Sequence, residues 1–191
     1  MHHISEQDFA KFPICVDLDG TLWDGDCLWM CMSDFLKRYP YRIFQMLFWW
    51  YQDRTYLKHN LLKFISFSPE KISFFPEILA YLHDLKKQGA TIYLITGSDQ
   101  KIADMVSAHL NIFEKAFGST IGCNLVGQNK ANLLNKIFGK KNYVYFGNEW
   151  KDRFIWENSI AAVAVDIDQK TFNWLKSQPI YTRRFICKSS I

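Results

Sequence analysis

The chain has 191 residues, of which 49% are hydrophobic and 22% charged. That is apolar material for one sizeable core and too little charge for a disordered chain. The formal net charge of +4 is weaker than the footprint of a dedicated nucleic-acid binder, so no nucleic-acid partner is expected. The five cysteines, Cys15, Cys27, Cys31, Cys123 and Cys187, are odd in number and include no Cys-x-x-Cys. A disulfide framework and a zinc knuckle are therefore not expected, and reduced thiols in a cytoplasm are the simplest reading.

Residues 1–11 are polar and lack the apolar stretch of a secretion signal. The expected location is cytoplasmic, with export without a cleaved signal as the alternative. Residues 12–16 (Phe-Pro-Ile-Cys-Val) read as a short buried strand ending at Asp17. From residue 22 to residue 75 no strand pattern is convincing. Residues 26–39, 41–52 and 55–67 instead carry apolar side chains at helical spacing, and Pro40 ends the first of these runs. More than fifty residues is too long for an ordinary loop, so a helical insertion placed over a site as a cap is expected.

A helix is predicted over residues 76–88, with Pro76 in its first turn and Gly89 after its end. Strands are predicted over 91–95, 142–146 and 161–165, and helices over 99–109 and 130–138. The strands are continuous apolar runs, as in a sheet covered on both faces. Alternating strand and helix gives an α/β fold with a parallel, Rossmann-like sheet, whose ligands sit at the carboxyl ends of the strands. The domain reading is a core of 1–21 and 76–176, a helical cap of 22–75 and a tail of 177–191.

Asp17-Leu18-Asp19-Gly20-Thr21 directly follows the first strand. Two carboxylates at i and i+2 can divide labour if the chain leaves the strand between them. Asp17 can ligate a metal and attack phosphorus; Asp19 can protonate the leaving oxygen and then deprotonate water. Thr96-Gly97-Ser98 follows the second strand and suits a phosphate cradle made of a hydroxyl and the N–H groups that open a helix. Lys130 can neutralise a phosphoryl group and orient Asp17. Gly147-Asn148, with Asp152 four residues beyond Asn148, supplies oxygens that suit Mg²⁺. Read singly, the first of these is also compatible with an Asx turn, the second with a loop or N-cap, the third with a solvated lysine and the fourth with a helix N-terminus.

In order and spacing the four segments resemble the motifs of the haloacid-dehalogenase-like (HAD) superfamily. Asp17 to Thr21 is similar to its first motif, Thr96 to its second, Lys130 to its third and Gly147 to Asp152 to its fourth. The insertion after the first motif resembles the helical type-one cap of the phosphoserine-phosphatase-like branch. Leu28-Trp29 and Trp156 extend the likeness to the HAD domain fused ahead of UbiA-type prenyltransferases. Asn148 stands where the commonest fourth motif has Asp, and Asp152 is then expected to compensate.

The resemblance implies a phosphatase that hydrolyses a phosphomonoester through an aspartyl phosphate. It implies Asp17 and Asp19 as catalytic residues, Thr96, Gly97 and Lys130 as phosphate ligands, and Mg²⁺ held by Asp17, Asp19, Asn148 and Asp152. Asp19 argues against a dehalogenase, which lacks that second Asp, and against a P-type ATPase, which has Thr there.

The cap is unusually aromatic, and Leu47 to Tyr51 (Leu-Phe-Trp-Trp-Tyr) cannot all face one core. Two readings follow. One is an aromatic pocket, using Trp23, Trp29, Trp49 and Arg54, for an aryl phosphate such as protein phosphotyrosine; the partner is then a phosphoprotein or a phosphorylated small molecule. The other is peripheral attachment to an anionic membrane. The alternative function is a catalytically weak module that binds a phosphorylated protein or such a membrane. The oligomeric state is left open.

Overall fold

The computed structural model describes residues 4–187; residues 1–3 and 188–191 lie outside it. Six strands form one parallel sheet: β1 (Ile14–Val16), β2 (Ile92–Asp99), β3 (Lys115–Ser119), β4 (Val144–Gly147), β5 (Ala161–Val165) and β6 (Tyr181–Phe185). Their order is β3-β2-β1-β4-β5-β6. The chain builds outward from β1 to β3, then returns to the other side of β1 as β4. The connections therefore diverge between β1 and β4, the crevice where open α/β sheets bind their ligands.

The side-chain alternation of each strand divides the core into two layers. Ile14, Val16, Ile92, Leu94, Val144 and Phe146 face one side; Cys15, Ile95, Tyr143, Tyr145, Ala162 and Ala164 face the other. The first side is covered by α4 (Pro76–Lys87), through Ile78, Leu82 and Leu85, and by α5 (Gln100–Leu110), through Ile102, Ala103 and Val106. The second is covered by α6 (Gln128–Phe138), α7 (Arg153–Trp156) and α8 (Gln169–Lys176), with Leu134, Trp156 and Leu175 fully buried. Both faces are thus covered, which is why the four inner strands read as unbroken apolar runs.

Residues 22–75 carry α1 (Cys27–Arg38), α2 (Ile43–Gln52) and α3 (Arg54–Leu61). Asp26 caps α1 by accepting from the Trp29 N–H, and Asp53 caps α3 by accepting from the Thr55 N–H. The two ends of the segment meet: the Phe75 N–H donates to the Leu22 carbonyl at 2.8 Å, and Trp23 bridges Phe74. Phe35, Trp49, Leu57 and Leu61 bury their side chains in the same apolar cluster as the first face of the sheet. Among the described residues no helix is long and apolar enough to cross a membrane.

Three expectations need correction. The segment 177–191 is not merely a tail, because residues 181–185 are the sixth strand, in register with β5 from Ala161↔Tyr181 to Val165↔Phe185. Lys188, which closes the basic run of this segment, lies outside the described residues. β3 was not anticipated, and neither was β6. Both are edge strands with a ladder on one side only, so neither has the fully buried pattern that marks β1, β4 and β5. Finally, β2 does not end at Thr96 but runs to Asp99, which pairs with Ser119 across an irregularity in the ladder.

β6 is fastened by Tyr181 edge-on to Phe9, by Phe185 against Tyr81 and by an ion pair between Arg183 and Glu6. A chain truncated after Gln178 should therefore expose one side of β5. The expected result is a melting temperature lowered by about 10 °C or more, or loss of soluble protein; calorimetry of the truncated chain checks this.

Candidate active site

The first strand delivers Asp17 to the switch point, where its N–H donates to the Phe146 carbonyl of β4 at 3.1 Å. One carboxylate oxygen accepts from the Leu18 N–H at 2.8 Å. The other lies 2.8 Å from the Lys130 ammonium. Lys130 is only 3% exposed, so this lysine is not a solvated surface charge. It reaches inward from the first turn of α6, and a buried ammonium requires such a partner.

Tyr145 joins this pair to the fourth motif. Its side chain projects from β4 into the second layer and is fully buried. The hydroxyl accepts from Lys130 at 3.0 Å and donates to Asp152 Oδ1 at 3.0 Å, with Asp17 Oδ2 further off at 3.4 Å. Burial, then the neighbouring carboxylates of Asp152 and Asp17, push the phenol well above its usual range, so it stays protonated and can donate. Asp152 Oδ2 accepts from the N–H groups of Asn148 and Glu149 at 2.9 and 3.1 Å. Burial first, and the Asp17 charge second, raise Asp152 to about 7. The two buried carboxylates therefore share one phenol, and the ammonium pairs directly with Asp17.

Two glycines are dictated by close approach. Gly20 has φ +72°, and a Cβ there would lie 1.9 Å from the Asn148 amide nitrogen; a Cβ on Gly147 would lie 2.5 Å from an Asp152 oxygen. Gly20 thus lets the first motif turn tightly against the fourth. Thr21 completes that contact by donating to Asn148 Oδ1 at 3.2 Å.

Asp19 turns away from this group. Its oxygens accept from the Cys27 N–H at 2.9 Å, the Ser98 hydroxyl at 2.8 Å and the Trp23 indole N–H at 3.3 Å. Burial outweighs these bonds and raises the carboxyl to about 6. Asp17 and Asp152 are joined through Lys130 and Tyr145, while Asn148 reaches Asp152 through its backbone N–H and its amide oxygen accepts from Thr21; oxygen donors of these types are the kind Mg²⁺ takes. The Asp19 carboxylate is not gathered with them. Among the described residues no cluster of three or more His, Cys, Asp or Glu side chains is placed to hold a cation.

A cleft of about 160 Å³ opens over these groups. Asp17, Asp19, Lys130 and Asp152 line its floor, while Arg54 and Lys58 from α3 close it from the helical insertion. Gly97 and Ser98 form one wall. Thr96 is fully buried beneath them, where its hydroxyl accepts from the Ser98 N–H at 3.0 Å. The anticipated cradle at a helix N-terminus is not formed at Thr96, because the strand continues and α5 starts only at Gln100, capped by Asp99.

Lys58 went unrecognised as a site residue in the sequence. Its ammonium donates to the Gly97 carbonyl at 2.6 Å and to Asn124 Oδ1 at 2.8 Å, tying the insertion to the core, and burial lowers its pKa. Tyr145 was equally hidden, since a Tyr in a strand reads as core. Among the described residues no aromatic side chain lines the cleft. Trp49 packs inside the insertion against Phe35 and Phe64, Trp23 supports Asp19, and Trp29 stands outside the cleft against Trp50. Of the four cap residues expected there, only Arg54 lines the cleft.

No family model matches the chain. The uncharacterized protein y4nM of Sinorhizobium fredii is 32% identical over 155 residues, which is 81% of this chain and 30% of that protein. The chain thus spans under a third of the length of that relative. Among solved structures, HAD family hydrolase t0658 of Salmonella enterica serovar Typhi superposes with TM-score 0.64 at 14% identity, covering 91% of this chain and 66% of that one. Apo phosphoserine phosphatase gives 0.61 at 14% identity, covering 90% and 92%. Its phospho-aspartyl intermediate analogue gives 0.59 at the same identity and coverage.

Two substitutions test this arrangement. Tyr145→Phe leaves Asp152 Oδ1 and the Lys130 ammonium each short of a partner, and should destabilise the protein by about 1–3 kcal/mol in denaturant unfolding. Asp19→Asn removes a charge whose pKa is raised on folding, and such a charge opposes stability above its folded pKa. At pH 8 the variant should melt about 2–4 °C above wild type. The gap should close as pH falls below 6, where the wild-type carboxyl takes up its proton. The fold, given the geometry and these superpositions together, is that of the HAD-family hydrolases and phosphoserine phosphatases.

Proposed function

We propose that the protein is a Mg²⁺-dependent phosphatase that cleaves phosphomonoesters through an aspartyl phosphate on Asp17. The observation that carries this reading is the buried Lys130–Asp17 contact at 2.8 Å, with Asp19 lining the same cleft. A lysine paired with a carboxylate inside a cleft fixes that carboxylate in position to act as a nucleophile. Asp17, Asp152 and Asn148 would hold the metal, whose charge offsets that of the phosphoryl oxygens.

In the first step an Asp17 oxygen attacks phosphorus. The bond from phosphorus to the ester oxygen breaks, and the leaving oxygen takes its electron pair together with a proton from Asp19. In the second step the Asp19 carboxylate removes a proton from water, whose oxygen attacks phosphorus. The bond to Asp17 breaks and inorganic phosphate leaves. A carboxyl with pKa about 6 can serve in both directions near neutral pH. Ser98, Cys27 and Trp23 hold it in place through both steps. Lys130 balances charge on the transferring group.

The cleft is smaller than the roughly 300–1,000 Å³ of sites that enclose a drug-sized ligand. It therefore suits a phosphorylated end rather than a whole large molecule. Arg54, Lys58, Lys130 and Lys151 line it, and its apolar side chains are Leu28 and Val126. With no aromatic ring in that lining, we place a polar phosphomonoester ahead of an aryl one as the physiological substrate.

Hydrolysis of p-nitrophenyl phosphate, a small generic probe, should require Mg²⁺ and stop with EDTA. Asp17→Asn should abolish turnover, Asp19→Ala should lower kcat by about 10²–10⁴, and Lys130→Met by about 10²–10³. A folded wild type that releases no phosphate from p-nitrophenyl phosphate or from a panel of phosphomonoesters would sink the proposal.

A further inference from the structure

The exposed side of α2 is the least expected surface of the molecule. The ten residues from Ile43 to Gln52 include no acidic or basic side chain. Only Met46 and Trp49, one helical step of three apart, are buried. The remaining apolar residues face solvent: Phe44 is 80% exposed, Phe48 55%, Tyr51 88% and Leu47 52%. Trp29, 63% exposed, extends the patch by packing against Trp50, over which the Arg54 guanidinium lies at 5.5 Å. A folded domain rarely leaves so many large side chains together in water without a partner.

The charges around this face say which partner. Lys37 and Arg38 end α1, Arg42 precedes α2 and Arg54 follows it. The acid between the two helices, Asp53, is held by the N–H and the hydroxyl of Thr55. The result is a charge-free aromatic and aliphatic face collared by cations at both ends of α2 and at the end of α1, with one exposed acid, Asp26, on the Trp29 side. A symmetric contact with a second copy would place the collar of one chain against that of the other, like charge on like. An anionic bilayer meets both parts at once. Its headgroups attract the collar, and the interfacial zone takes Phe, Leu, Trp and Tyr side chains.

We propose that the α2 face seats on the surface of an anionic lipid bilayer. Arg54 belongs both to this patch and to the cleft lining, so seating would place the mouth of the cleft beside the headgroup layer. The docking does not depend on the phosphatase reading and can hold if that reading fails.

The test is flotation of the full chain with phosphatidylcholine vesicles, with and without phosphatidylglycerol. The protein should float with the anionic vesicles and not with the neutral ones. Binding should fall at least about tenfold, the step of 1.4 kcal/mol, in the double variant Phe44→Ser/Phe48→Ser. It should fall in Lys37→Gln/Arg38→Gln and in about 0.5 M salt, which screens exposed charges. Both double variants alter exposed side chains, and an unchanged melting curve confirms that they fold. Sedimentation velocity runs alongside. Failure to float with anionic vesicles, or equal flotation of the Phe44→Ser/Phe48→Ser variant, overturns the proposal. So does a dimer in solution that the same substitutions dissociate, because the face then belongs to a second copy.

Discussion

The buried contact between Lys130 and Asp17 is the constraint around which the other site residues are arranged. An ammonium out of water is tolerated only when its charge and its donors are matched. Asp17 supplies the charge and Tyr145 a further acceptor. The phenol then needs its own acceptor, which is Asp152, and Asp152 uses its second oxygen to cap the turn after β4. Three chain segments are locked in one network at the point where the sheet changes direction. The network is polar and buried, so it fixes a single arrangement, and removing any one member leaves another short of a partner.

The same locking separates the two acids of the first motif. Asp17 stays with the strand and the ammonium. Gly20, in left-handed backbone, releases the chain toward the helical insertion, and Asp19 is drawn to the start of α1 by the Cys27 N–H and to β2 by Ser98. One carboxylate thus faces a cation while the other is desolvated among neutral donors. Burial raises the Asp19 carboxyl to about 6, while Asp17 is paired directly with the ammonium.

The helical insertion serves two surfaces. Its inner side contributes Arg54 and Lys58 to the cleft, and Lys58 ties the insertion to Gly97 of β2 and to Asn124. Its outer side carries the α2 residues that no part of the described chain covers. The aromatic richness of the segment therefore divides between an internal cluster around Phe35, Trp49 and Phe64 and this outer face. Neither share enters the cleft, so an aromatic pocket, inferred from the same residues, is not where the folded chain puts them.

The sequence by itself determined the central strands, the helices α4, α5 and α6, the helical insertion and the position of Asp17 at the end of the first strand. These are local matters of apolar runs covered on both faces, capping residues and a Gly after paired acids. Only the tertiary structure decided the rest. β3 and β6 are edge strands, and an edge is defined by what lies beside it rather than by its own pattern. Lys130 reads like any surface lysine until β4 places Tyr145 beneath it. Asp19 could have joined a metal cluster until Cys27 and Ser98, eight and seventy-nine residues away in sequence, took its oxygens. Trp49 and Phe48 are neighbours in sequence, yet one is core and the other surface, because helix rotation assigns adjacent residues to different faces and only packing decides which face is covered.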